Sequence, residues 1–264
     1  MKLKPLAAAA LLAASVCATA QQKPADKAAA PQAATASTAQ PSAQATTSAA
    51  GAKGAAAAPA TPLDLARATY AAQGGDKYRD LKNIVLLGTA DLYAPGSAQS
   101  LSGKFGMITS GDRLRLEVQS PLFGFSLISD GVNTYTTMRG FELPSASRFG
   151  VPVLMKLGQP GYAVTALGGS KKERAFRITD PEGNITDFYV DAATSRLVRF
   201  EVPYGPYTYS VEFKAVKEIE GVFVPVSFVQ RISSTQGSFY AEFKVKDAKI
   251  NQEIPDTTFV IPDK

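Results

Sequence analysis

The sequence predicts a mainly β (α+β) domain: a strongly curved antiparallel sheet of about eleven strands, a half-open barrel, with short helices as its lid. Three observations predict it. Beyond residue 83 apolar and polar side chains alternate, as Leu114, Leu116 and Val118 do against Arg113, Arg115 and Glu117, which marks strands buried on one face. Turn signals recur at short intervals, among them Ser110-Gly111-Asp112, Asp130-Gly131, Glu220-Gly221 and Gln236-Gly237, as hairpins require. The third is a shortage of helix. Eleven strands at about 4.8 Å spacing make a sheet roughly 50 Å wide with one apolar face, and about 23 helical residues supply only about 35 Å of helix to cover it. A sheet so wide curls, and its concave, apolar interior is a place for a hydrophobic ligand. The same alternation also fits a barrel filled by its own side chains.

The elements follow in order along the 264 residues. Met1-Lys2-Leu3-Lys4 and the apolar run Pro5 to Val16 read as a signal peptide over residues 1–20, too short for the roughly 20 residues of a membrane span. Two processing outcomes stand open. Ala18-Thr19-Ala20 is a small-x-small cleavage site that would leave Gln21 first. Alternatively, Cys17, the sole cysteine, is lipidated after a leader of residues 1–16, with Ala14-Ser15-Val16 as a degenerate lipobox. Residues 21–62 contain 18 Ala and 5 Pro and no Val, Ile, Leu or aromatic residue, so they cannot build a core and read as a disordered linker. Such a chain spans about 35–40 Å root-mean-square.

All 14 Phe and 10 Tyr fall in residues 63–264, the predicted folded domain. Thr61-Pro62 starts a helix over 63–73 and Gly74-Gly75 stops it; Asp76 caps a further turn or two through Leu81. Strands are predicted at 84–93, 101–109, 113–119, 125–129, 132–138, 162–167, 173–179, 185–190, 197–202, 207–217 and 222–233, with 238–250 closing the sheet as a twelfth. A short helix over 151–157 interrupts the series. Sequence neighbours are expected to be sheet neighbours.

Composition closes several function classes. Without a single His there is no Ser-His-Asp triad, no Cys-His pair and no His-ligated metal. The net charge of +5 is concentrated in the leader and linker. Residues 63–264 carry 23 cations and 22 anions, with no basic stripe for nucleic acid. No catalytic residue, metal site or cofactor is expected. Among acids, Asp187, between Ile185 and Tyr189, comes nearest to a tuned carboxylate, and Gly168-Gly169-Ser170-Lys171 reads as a hairpin turn more readily than as a Ser-Lys dyad. The run Val202 to Tyr209 is either an interaction surface or, with Pro203 and Pro206, a β-turn between strands.

Three segments carry a resemblance. Arg113 to Gly131, followed by Asn133 to Thr137, is similar to the strand, loop and strand of the bacterial lipoprotein-sorting superfamily (LolA/LolB-like), nearest the outer-membrane receptor LolB and its uncharacterised relatives. The family reads Asn-Pro-Leu-Gly where this chain has Ser120-Pro121-Leu122-Phe123-Gly124. Gly150 to Gly158 is similar to the family's short helix, and Ile250 to Pro262 to the close of the carrier domains. The resemblance implies an apolar cavity for acyl chains and a loop leucine that enters the membrane, which Leu122 matches. Pro121, Leu122 and Phe123 are thus the expected membrane-insertion loop, Phe123 being an addition to the pattern. Strand faces nominate Phe105, Met107, Leu114, Leu116, Phe125, Leu127, Tyr135, Met138, Tyr189, Phe200, Tyr209, Phe213 and Phe228 as acyl-chain contacts. The expectation is an exported, monomeric, non-enzymatic protein, periplasmic or anchored to the outer membrane facing the periplasm. Its expected partners are a lipid or acylated lipoprotein, a periplasmic lipoprotein carrier and a membrane surface. The alternative is an envelope tether or sensor with a filled core.

Overall fold

A computed structural model describes residues 61–137, 145–148, 150–235 and 237–262. The leader, Cys17, nearly all of the linker and Met138 lie outside them. Thr61 caps α1 (Pro62–Ala72): its Oγ1 accepts a hydrogen bond from the Asp64 amide at 3.1 Å, and Pro62 occupies the first turn, where its missing N–H is no loss. The helix ends against the sheet. The Phe223 amide donates to the Gln73 carbonyl at 3.3 Å, and at Gly74 (φ +123°) a Cβ would lie 3.1 Å from the Gly221 carbonyl oxygen, so only glycine fits this approach. One turn, α2 (Asp76–Arg79), leads into the strands.

Among the described residues, twelve strands form one antiparallel sheet: β1 (Ile84–Tyr93), β2 (Ser100–Ser110), β3 (Arg113–Gln119), β4 (Gly124–Ser129), β5 (Thr134–Thr136), β6 (Ala163–Leu167), β7 (Glu173–Thr179), β8 (Ile185–Asp191), β9 (Leu197–Tyr204), β10 (Tyr207–Ile219), β11 (Val222–Ser234) and β12 (Gly237–Ile250). Their order, β5-β4-β3-β2-β1-β12-β11-β10-β9-β8-β7-β6, is two meanders joined where the last strand pairs with the first. The twelfth strand is therefore central, not an edge, with Ile84 opposite Ile250 and Ala90 opposite Phe243. The sheet is strongly curved and unclosed, β5 and β6 remaining its edges. Gly205-Pro206 is the tight turn between β9 and β10, with Tyr204 opposite Tyr207, as the two prolines suggested.

The segment between β5 and β6 carries a 3₁₀ turn (Ala146–Arg148) and α3 (Val151–Leu154), and it ties the two halves of the sheet together. Ser145 Oγ donates to the Gly131 carbonyl and Thr186 Oγ1 to the Arg148 carbonyl. Lys156 pairs with Asp112 at 3.2 Å and Arg148 with Glu182 at 3.5 Å. On the concave face, Leu65 and Ala66 of α1 and Val151, Val153 and Leu154 of α3 join the core, so the short helices do lie over the sheet's apolar side. On the convex face the last segment crosses β3: Arg115 donates to the Thr258 carbonyl at 2.8 Å and Arg113 lies over the Phe259 ring.

At the centre of the concave face the packing is dense. Phe228 stacks on Phe243 with centroids 4.8 Å apart, and Phe105 meets Phe243 edge-on at 4.9 Å, both favoured aromatic geometries. The Phe105 ring lies over Gly88, where a Cβ would come within 2.8 Å of it; β1 also shifts register against β12 at this point. No helix among the described residues is long and apolar enough to cross a membrane.

Candidate functional site

Beside that aromatic centre, with Phe228 common to both, the concave face holds a half-enclosed cavity of about 170 Å³. Its walls come from both meanders. Ile84 of β1, Met107 and Thr109 of β2 and Leu114 of β3 form one side; Phe200 of β9, Tyr209, Val211 and Phe213 of β10 and Phe228 and Gln230 of β11 form the other. Gln73, Tyr78 and Leu81 close it from the α1–α2 region, and Val151, Pro152 and Met155 from α3. Exposed Arg79, Gly111, Arg113 and Val216 mark its mouth, at the end where β1 begins and β2 finishes.

The walls are mostly hydrocarbon and aromatic ring. Burial pushes the Tyr78 hydroxyl up to about 12 and raises that of Tyr209 as well, so both remain neutral donors. Among the described residues no carboxylate borders the cavity, and the cations at its mouth are engaged: Arg79 with Asp76 at 2.9 Å, Arg113 with Ser110 Oγ at 3.2 Å. No group of three or more Asp, Glu, Cys or His among the described residues is placed to hold a metal ion.

The nominated contacts divide by place. Met107, Leu114, Phe200, Tyr209, Phe213 and Phe228 border the cavity. Phe105, Leu116, Phe125 and Leu127 face the same side but pack elsewhere: Phe105 in the aromatic centre, Leu116 opposite Leu127, and Phe125 opposite Val118. Two lie on the convex face. Tyr135 pairs with Ile128 while Thr134 and Thr136 turn inward, because the register from Leu116 and Leu127 carries the concave face to Thr136. Tyr189 lies under the Arg199 guanidinium at 3.5 Å, because the stacking of Phe188 on Phe176 at 5.1 Å fixes the opposite parity in β8. Its neighbour Asp187 is held by two hydrogen bonds from Arg177, at 2.6 and 2.8 Å. That is an ion pair on the convex side, not an acid aimed into a site. Ser170 Oγ accepts from the Lys172 and Glu173 amides, which makes it a turn residue.

Sequence reasoning missed Gln73, Tyr78, Val211, Met155 and Gln230. Val211 shares its strand face with Tyr209 and Phe213 and is legible in the sequence; Gln230 is legible as a polar break in the inward series Phe228, Ile232. The three from the helical segments become lining only through the tertiary fold.

The loop between β3 and β4 is a tight turn. Ser120 Oγ accepts from the Leu122 and Phe123 amides, both at 3.2 Å, presenting Leu122 at 81% exposure while Phe123 folds back against the core. Leu101 and Phe239, also exposed, lie at the same end of the sheet. This is the end opposite the cavity mouth.

No family model matches the sequence and no curated protein is similar to it. Among solved structures, the chain is similar to a LolA superfamily protein from Nitrosomonas europaea, at 11% identity over 76% of this chain and 98% of that one, with a TM-score of 0.49. It is also similar to a DUF1329 family protein from Desulfovibrio piger, at 11% identity over 75% of this chain and 95% of that one, with a TM-score of 0.46.

Proposed function

We propose that the domain is a non-enzymatic binder of acyl chains, those of lipoproteins or of another lipid, acting in lipoprotein localisation to the outer membrane. The observation that carries this is the void itself: a curved sheet whose apolar face is not fully covered by its own helices, leaving a half-enclosed, mostly apolar cavity. Its volume of about 170 Å³ is close to the roughly 150 Å³ of an engineered cavity that accepts benzene. On that scale it takes about six to eight carbons of a chain, the remainder leaving by the mouth. Leu122 supports membrane contact separately, since an exposed leucine gains about 1.5–3 kcal/mol on full burial. On this reading Cys17, if lipidated, tethers the domain through the linker, and a periplasmic carrier hands cargo over.

Organic extraction of the purified protein followed by mass spectrometry tests the reading. Acyl chains recovered near one per protein are expected. A second reading, an envelope tether or sensor, is favoured by the Phe105, Phe228 and Phe243 packing that fills the centre of the face; a well-folded preparation free of acyl chains supports it instead.

A further inference from the structure

The cavity is not purely apolar. Four neutral polar side chains border it from four separate elements: Gln73 at the end of α1, Tyr78 in α2, Thr109 in β2 and Gln230 in β11. Gln73 is only 6% exposed, and Gln230 occupies an inward strand position opposite Val211 and Ala241. None of the four side chains has a hydrogen-bond partner among the described residues, and none of their polar atoms is fully buried, so each remains open to solvent or a ligand. Asn83, also at the wall, differs: its carboxamide exchanges two hydrogen bonds with Gln252, at 2.7 and 3.0 Å. Polar groups set into a largely apolar wall and left free by the protein are the arrangement by which a ligand's polar end is oriented.

We propose that this cavity recognises the carbonyl end of an acyl chain, its carboxylate or ester oxygens accepting from Gln73, Tyr78, Thr109 and Gln230 while the first carbons of the chain lie against Met107, Phe213 and their neighbours. The inference rests on the acyl-binding reading and goes further, because a cavity that held only the methyl end of a tail would need no donors. All four groups can donate, and burial keeps the Tyr78 hydroxyl protonated.

Met107 and Met155 both border the cavity and report on it as methyl-labelled methionines in NMR of the full chain, with octanoate, methyl octanoate and cyclohexane as probes. Octanoate or its ester is expected to shift both methyl signals. Gln230→Leu, and separately the near-isosteric Thr109→Val, are expected to weaken that binding by about three- to tenfold, the loss of one hydrogen bond, without weakening cyclohexane. Equal affinity for acid and ester assigns the site to esterified chains; a preference for octanoate assigns it to free fatty acid. Unchanged octanoate affinity in both variants, with cyclohexane still bound, overturns head recognition and leaves the acyl reading standing. If no probe moves either methionine, the acyl reading itself fails.

Discussion

The aromatic centre of the concave face and the cavity beside it are built from the same alternating strands, yet the first is filled and the second is hollow. In the centre, three phenylalanines from β2, β11 and β12 interlock over a glycine that leaves room for their rings. Around the cavity the inward positions mix rings, Phe200, Tyr209 and Phe213, with the smaller or more flexible Thr109, Leu114, Met107 and Val211. The helices over them stop at Ala72, Arg79 and Leu154. Alternation decides which face of a strand is apolar. Side-chain size and the reach of the covering helices decide whether that face is filled.

Substitution should separate the two regions, most strongly at the centre. Phe243→Ala removes a ring from a close-packed cluster and is expected to cost about 3–5 kcal/mol, read as a lower midpoint in urea. Val211→Ile at the cavity should have the opposite sign: the added methylene enters free space and stabilises by about 0.5–2 kcal/mol, while acyl-probe binding weakens. Destabilisation by Val211→Ile would mean that the cavity end is packed as tightly as the centre.

The strand series was legible because alternation and turn residues are local signals: all twelve strands lie within a few residues of their predicted positions, and both ends of α1 follow from Thr61-Pro62 and Gly74-Gly75. The pairing of β12 with β1 is a long-range contact that meander order alone leaves open. Face assignments failed where local alternation was ambiguous, at Tyr135 and Tyr189, since each parity is set by a neighbouring strand or a stacked ring. The cavity's polar lining was least legible, because Gln73 and Tyr78 come to share a cavity with Gln230 only after the helices dock.

Two smaller effects sharpen the contrast. Tyr78 is raised from 10.0 to about 12, so its neutral form is favoured by folding. The stability this gives is intact below about pH 10, the unfolded value, and is lost as pH rises through about 12. Tyr78→Phe should flatten that alkaline decline in thermal midpoint; an unchanged decline would place the hydroxyl in water. Leu122→Ser, at the far end of the sheet, should change stability by no more than about 0.5 kcal/mol yet reduce association with lipid vesicles. A large stability loss there would mark Leu122 as packed rather than presented.

The central claim is that hydrocarbon enters the cavity walled by both meanders and nowhere else on the concave face. Crystals of the protein soaked in 1-bromohexane, with bromine located by anomalous scattering, read this directly. The account predicts a bromine peak among Met107, Tyr209, Val211 and Phe213. A cavity without bromine, or bromine only beside Leu101 and Leu122, would contradict it.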